Sequence, residues 1–225
     1  MRAPRAAAIA GLLFSALLVA IFLLLRLATP ADPKEPGTWL RDHAGQVGLA
    51  LNLVPVAAIA FLWFMGVLRD RLGQREDRFL ATVFLGSGVL FLAMLLIFAA
   101  VAHGIVATFA GQPQPIADSA TFRFARDASY NIANAYMAKM AGVFTMTTST
   151  IAIYTKIAPR WLAILGFAIA PLLLFGSYYF TWIFIAFPLW VMLISAGILR
   201  DDLRAAAAKK IEPCTHAPLV KRVNE

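Results

Sequence analysis

The side chains best suited to hold a ligand form a small polar set within otherwise apolar stretches: Asn52, His103, Asn134, Tyr136 and Lys139. An ammonium or imidazole group can hold an anion, and amide and phenol groups can hydrogen-bond to a zwitterion. Polar groups are costly in apolar surroundings, so they tend to face a cavity, a partner or water. We therefore expect a binding site for an anionic or zwitterionic solute. The competing interpretation is that these residues lie near helix ends and contact water.

The residue pattern argues against catalysis and metal binding. The long apolar runs contain no Asp or Glu, which excludes carboxylate pairs and proton relays within them. Cys214 is the only cysteine, so an intrachain disulfide and a multi-cysteine metal site are excluded. A membrane b-type haem needs histidines on facing helices, but His43 and His216 lie outside the apolar runs. We predict no catalytic residue, no metal and no cofactor, and we keep an intramembrane enzyme as a third hypothesis after the two given below.

Long apolar runs must position the polar set. The 225 residues are 61% hydrophobic, with a mean hydropathy of +0.76. About 20 apolar residues suffice to cross a bilayer. The segment Trp161–Leu199 has no charged residue and would be about 58 Å long as one helix, so we expect it to fold back near Gly176. Runs of spanning length or more are Ala6–Leu25, Val47–Leu68, Phe79–Ala102, Asn131–Thr155 and Trp161–Leu199.

These runs predict an all-α, polytopic transmembrane helical bundle of about six spans. We assign residues 1–200 to this domain and residues 201–225 to a charged cytoplasmic tail. The first run predicts an uncleaved helix, because it is longer than the core of a signal peptide and is closed by Arg26. A cleaved signal peptide is the alternative, and it would leave five spans.

The segments between the runs predict loops at residues 30–46 and Gly111–Ser129, both rich in proline and charge. We expect Trp39 and Leu40 to enter the membrane interface, and Phe122 and Phe124 to lie on the membrane surface. Within the third run, Gly86-Ser87-Gly88 predicts a close approach of another helix.

Lys139 is the one basic residue inside a predicted span. We expect it to face the bundle, because Tyr136 and Gly142 flank it at three-residue spacing and a glycine suits a helix contact. The alternative is a side chain that extends back to the lipid headgroups.

The ten residues from Arg69 to Arg78 contain four arginines and three carboxylates, with Asp70, Arg71 and Arg75 between the end residues. We interpret them as a short loop between two spans. Fourteen of the twenty Lys and Arg residues lie on the side of this loop and five on the other. This asymmetry predicts that the loop and both termini are cytoplasmic. The net charge of +8 is thus explained by topology and phospholipid contact, and we predict no nucleic-acid partner.

The stretch Gly66-Val-Leu-Arg-Asp70-Arg71-Leu-Gly73-Gln-Arg75 resembles the loop signature of the major facilitator transporters. In that family the signature joins the second and third helices on the cytoplasmic side. The resemblance implies that Asp70 and the arginines latch helix ends during alternating access. Gln74 stands at a usually basic place, and those transporters have two six-helix halves where this chain has one set.

A second resemblance covers most of the chain. The segments Ala158-Pro159-Arg160-Trp161-Leu-Ala-Ile-Leu-Gly166 and Gly197-Ile-Leu-Arg200, with six spans, look like a broad class of uncharacterised bacterial six-helix integral membrane proteins. This resemblance implies a multi-pass protein of the bacterial cytoplasmic membrane. We favour a non-enzymatic accessory or structural component of a membrane complex, partnered by lipid and other membrane proteins. The alternative is a small homodimeric transporter, with the polar set forming a site for an anionic or zwitterionic solute in the outer half of the bundle.

Overall fold

The computed structural model describes residues 3–29, 39–72, 78–110, 119–155, 158–176 and 182–211. Every regular element in these ranges is helical, so the all-α prediction is confirmed for them. The elements, in chain order, are α1 (Ala3–Ala28), α2 (Trp39–Leu72), α3 (Arg78–Phe109), α4 (Ala120–Asn131), a π-helical segment (Ile132–Met137), α5 (Ala138–Thr155), α6 (Arg160–Pro171), a π-helical turn (Leu172–Gly176), a 3-10 turn (Ile183–Ile185) and α7 (Ala186–Ile211).

The described elements combine into six helical rods, because α4, the π-helical segment and α5 follow one another without a break. The rods form a ring in which each contacts the next: α1 on α2, α2 on α3, α3 on α5, α5 on α6, α6 on α7, and α7 back on α1. Because successive rods are neighbours, short connections suffice, as in up-and-down bundles.

Four of the described helical stretches are long and apolar enough to cross a membrane: Ala8–Ala28, Asp42–Arg69, Arg78–Phe109 and Ile183–Arg204. The stretch Arg160–Gly176 is apolar but shorter. The segment Trp161–Leu199 folds back, because α6 contacts α7 and the π-helical turn contacts the 3-10 turn. Residues 177–181, between these two turns, lie outside the described residues. The charged segment after Arg200 continues α7 to Ile211, and residues 212–225 lie outside the described residues.

The loop predicted over residues 30–46 is wrong from Trp39 onward, because α2 begins at Trp39. Leu40 is only 1% exposed and packs in a small apolar cluster within the protein. Asp42 stands in the first turn of α2, where a carboxylate is favoured by the helix dipole. Residues 30–38 are outside the described residues.

The loop predicted over Gly111–Ser129 is wrong from Ala120 onward. Ser119 caps α4, and its hydroxyl accepts a hydrogen bond from the Phe122 amide at 3.3 Å. Phe122 is buried, whereas Phe124 is exposed, so only Phe124 fits the expected surface position.

We call the apolar cluster at the start of α2, the end of α3 and the start of α4 the cap cluster; it consists of Leu40, Ile105, Phe109 and Phe122. Phe109 and Phe122 meet edge to face, with ring centroids 5.2 Å apart. The cluster places these three helix ends together, and we call this the cap end of the bundle. The opposite end, where α2 ends and α3 begins, is the basic end.

Candidate functional site

The middle of the bundle is filled by one phenylalanine from each of five rods, Phe14, Phe61, Phe91, Phe144 and Phe187, which we call the phenylalanine core. None of the five side chains is exposed. Ring centroids are 4.6 Å apart for Phe14 and Phe61, 5.0 Å for Phe61 and Phe144, and 5.0 Å for Phe91 and Phe187. Aromatic rings at these tilted and edge-to-face distances attract one another beyond their burial. At this level the bundle is closed by aromatic rings.

Two glycines let neighbouring rods touch on the basic-end side of the phenylalanine core. A Cβ at Gly11 of α1 would collide with the Ser195 hydroxyl of α7 and come within 2.7 Å of the Phe64 ring. A Cβ at Gly166 of α6 would collide with the Ser149 hydroxyl of α5 and come within 2.7 Å of the Trp190 indole. Such close approach of small residues is how helices associate in a bilayer.

The Trp190 side chain is held beside Gly166 by burial and by a hydrogen bond. Its indole nitrogen donates a hydrogen bond to the Leu162 carbonyl at 3.0 Å, and its side chain is buried. The Ser149 and Ser195 hydroxyls have no hydrogen-bond partner within the described residues. Their closeness to a glycine backbone suits weak Cα–H···O contacts, which recur at helix–helix interfaces. These contacts are structural, and no ionisable group takes part in them.

The predicted polar set does not converge on a cavity within the described residues. Asn52, His103, Tyr136 and Lys139 are all exposed, and Asn134 is half-buried. The Asn134 amide donates to the Tyr130 carbonyl at 3.0 Å, so it is satisfied by its own helix. The set is therefore distributed over the surface of the single chain.

The inward orientation expected for Lys139 is wrong for the single chain, because its side chain is exposed. Gly142 does make the expected helix contact, since a Cβ there would lie 3.1 Å from the Ala170 carbonyl oxygen. Tyr136, however, is 60% exposed. Gly142 follows Tyr136 by six residues, which turn a helix by about 600°, roughly 120° short of two full turns. Tyr136 and Gly142 therefore lie on different faces, and they do not define one direction for Lys139.

The π-helical segment Ile132–Met137 could not be predicted from the sequence. At its end the Ala138 amide donates to the Ala133 carbonyl, five residues back. The side-chain amide of Asn131 donates to the Asp127 carbonyl at 3.0 Å. A π turn holds one extra residue, which turns the helix before it by about 100° relative to the helix after it. No regular hydrophobic period signals such an insertion in the sequence.

Arg26, which closes α1 at the cap end, has an aromatic partner that the sequence did not indicate. Its guanidinium carbon lies 5.3 Å from the ring centroid of Trp182, at the start of the last helical stretch. Phe22 packs against the same indole at 5.6 Å. This cation–π contact fastens the end of α1 to the beginning of the α7 stretch.

The basic stretch connects α2 to α3 as expected, since α2 ends at Leu72 and α3 begins at Arg78. Arg69 and Arg78 are exposed. Asp70 and Arg71 lie in the last turn of α2, and Arg75 lies outside the described residues. The described residues contain no group of three or more His, Cys, Asp or Glu side chains placed to hold a metal ion.

Comparison of the chain with protein-family models, curated proteins and solved structures finds no match.

Lys139 gives the first testable prediction. It lies five residues before Phe144, or about 7.5 Å along the helix, and an exposed lysine there can extend its ammonium toward the headgroups. We expect Lys139→Met and Lys139→Arg each to change the free energy of unfolding by less than about 0.5 kcal/mol, as surface substitutions usually do. Thermal unfolding in detergent and in native membranes measures this. A loss of stability with Met that Arg restores would contradict the exposed placement.

Proposed function

We propose that this chain is a six-span protein of a bacterial cytoplasmic membrane, with both termini in the cytoplasm, which serves as a non-enzymatic accessory or structural component of a membrane complex. Four of its helical stretches have spanning length and apolarity. The α4–α5 rod and α6 occupy places in the same ring, and this supports six crossings. α1 supplies Phe14 to the phenylalanine core, which favours a retained first helix.

The phenylalanine core is the observation that carries the accessory function. A solute that crosses within one bundle needs a polar or hydrated route between its helices, as transporters provide at the membrane midplane. Here five rods close that route with buried rings. Meanwhile the polar side chains that could bind a solute lie on the surface. A sealed interior with no solute route fits a protein that acts by packing against others.

The alternative function is a homodimeric transporter whose site forms between two copies. It is favoured by one observation: Tyr136 and Lys139 are both exposed and lie three residues apart. A second copy packed on this surface would enclose both groups, with the ammonium available to an anionic solute.

Purification in a mild detergent separates the two functions. The accessory function predicts a stable complex with a different membrane polypeptide in fixed stoichiometry, without a solute-dependent thermal shift. A homodimer whose unfolding temperature rises with an anionic or zwitterionic solute, and falls back with Lys139→Met, would favour the transporter instead. The Lys139→Arg variant is the matched control, because it keeps the charge.

The orientation gives a second prediction. Cys214, the only native cysteine, should react with a membrane-impermeant thiol reagent only after cells are opened. In a Cys214→Ser background, a cysteine introduced at Gln114 should react in intact cells, because the 14-to-5 charge asymmetry places the basic end inside. The reverse pattern would overturn the orientation.

A further inference from the structure

A groove runs between α1 and α7 at the basic end of the bundle. It is shallow and open, with a volume of about 410 Å³. The described residues that line it are Leu12, Ala196, Leu199, Arg200, Leu203, Arg204 and Ala207. All of these are apolar except the two arginines, and none of them is a carboxylate.

The two arginines stand where the apolar surface of α7 ends. Arg200 is the first charged residue after the charge-free segment Trp161–Leu199. Arg200 and Arg204 are four residues apart and both are exposed, so their side chains are neighbours on one helix face. Guanidinium groups bind phosphate oxygens in a two-pronged, charge-assisted geometry. This pair is therefore suited to hold a phosphate at the exposed edge of the apolar groove.

The two acidic residues of this segment lie on other faces of α7 than the two arginines. Asp201 and Asp202 follow Arg200 directly, but neither lines the groove. On a helix they are turned by about 100° and 200° from Arg200, whereas Arg204 is turned by only about 40°. The face of α7 that borders the groove therefore carries both arginines and neither aspartate.

We propose that this groove binds one anionic glycerophospholipid, with its phosphate between Arg200 and Arg204 and an acyl chain along Leu12, Ala196 and Leu199. The occupant follows from complementarity at both ends of the groove. A phosphodiester matches the two guanidinium groups, and a hydrocarbon chain matches the apolar walls. A membrane supplies both in one molecule at the depth where the charge-free segment of α7 ends.

The test compares phosphatidylglycerol with phosphatidylcholine of the same acyl chains, added to the purified protein in detergent. Binding is measured by native mass spectrometry, and stability by the thermal unfolding midpoint. We expect the wild type to bind phosphatidylglycerol at least tenfold more tightly. The Arg200→Gln/Arg204→Gln variant should lose most of this preference, because each arginine near an anionic surface contributes roughly fivefold.

Two further variants make the result specific. Arg78→Gln/Arg160→Gln removes the same charge from exposed arginines outside the groove, and it should keep the preference. Ala196→Phe fills the groove while leaving both arginines in place, and it should weaken binding of either lipid. The unfolding midpoint in phosphatidylcholine shows that each variant is folded.

Four outcomes would overturn the proposal. The first is equal binding of the two lipids by the wild type. The second is an equal loss of preference in both double-arginine variants, which would indicate general surface charge. The third is displacement of phosphatidylglycerol by glycerol phosphate at similar concentration. The fourth is no effect of Ala196→Phe on binding; either of the last two would show that the groove holds only a headgroup.

Discussion

Gly166→Ala should lower the free energy of unfolding by about 1–2 kcal/mol, because overpacking an interior usually costs about 1–3 kcal/mol and part of this cost is offset by the better helix propensity of alanine. The added methyl group would collide with the Ser149 hydroxyl and come within 2.7 Å of the Trp190 indole. The indole cannot move aside easily, because it is buried and hydrogen-bonded to the Leu162 carbonyl. Alanine gains up to about 1 kcal/mol over glycine in helix propensity, so the steric cost exceeds the gain. Thermal or denaturant unfolding in detergent measures the change.

Gly86→Ala is the matched control for Gly166→Ala. Gly86 is also helical, but nothing lies within 4 Å of a Cβ there. Only the propensity gain remains, so the variant should be as stable as the wild type or more so. Equal effects of the two substitutions would contradict the close α5–α6–α7 packing at Gly166.

Phe61→Ala should be the most damaging truncation in the phenylalanine core. Phe61 has three core rings within 5.1 Å, more than any other member of the core: Phe14, Phe91 and Phe144 lie at centroid distances of 4.6, 5.1 and 5.0 Å. In a bilayer the unfolded reference still surrounds the side chain with apolar lipid, so the transfer part of the cost is small. The cavity part remains, on the order of 2–3 kcal/mol for a lost ring.

Phe175→Ala makes the same chemical change at a side chain that is 77% exposed, so we expect little change in stability. Both variants are compared by unfolding midpoint and by yield from membranes. A Phe61 variant as stable as the Phe175 variant would show that the rings do not support the bundle.

The long apolar helices could be predicted from the sequence because hydrophobic length is a local property. Four described stretches have the length and apolarity expected of spans, and the turn between α2 and α3 lies within Arg69–Arg78. The helical extensions at Trp39 and Ala120 could not be predicted, since their local composition is polar. They are stabilised by contacts between distant segments, above all Leu40 and Phe122 in the cap cluster.

The sequence shows where small residues occur, but not which of them face a neighbouring helix. In the Gly86–Gly88 patch, a Cβ at Gly88 would meet Met65 and the Phe144 ring, whereas Gly86 is open. The patch thus predicts a close contact correctly for one glycine and wrongly for the other. Glycines 11 and 166 stand alone in apolar runs, and only the fold reveals that hydroxyls lie against them.

The candidate site shows where a sequence argument fails. The site prediction rested on polar side chains and on their positions along the helices, and it named Asn52, His103, Asn134, Tyr136 and Lys139. The direction of each side chain, however, depends on how its helix is rotated. The π-helical segment at 132–137 changes that rotation just before Lys139. The phenylalanine core could not be predicted for a related reason. The sequence does not show whether a phenylalanine in an apolar span faces lipid or the bundle axis.

Cysteine accessibility inside the bundle tests the sealed interior most directly. Ala57 and Ala141 have no exposed surface and lie one turn toward the cap end from Phe61 and Phe144. In a Cys214→Ser background, Ala57→Cys and Ala141→Cys should each resist a small hydrophilic thiol reagent applied to either side of native membranes. A cysteine at Gln114 is the reactive control. Rapid labelling at Ala57→Cys or Ala141→Cys would reveal a hydrated route through the bundle and contradict the accessory function.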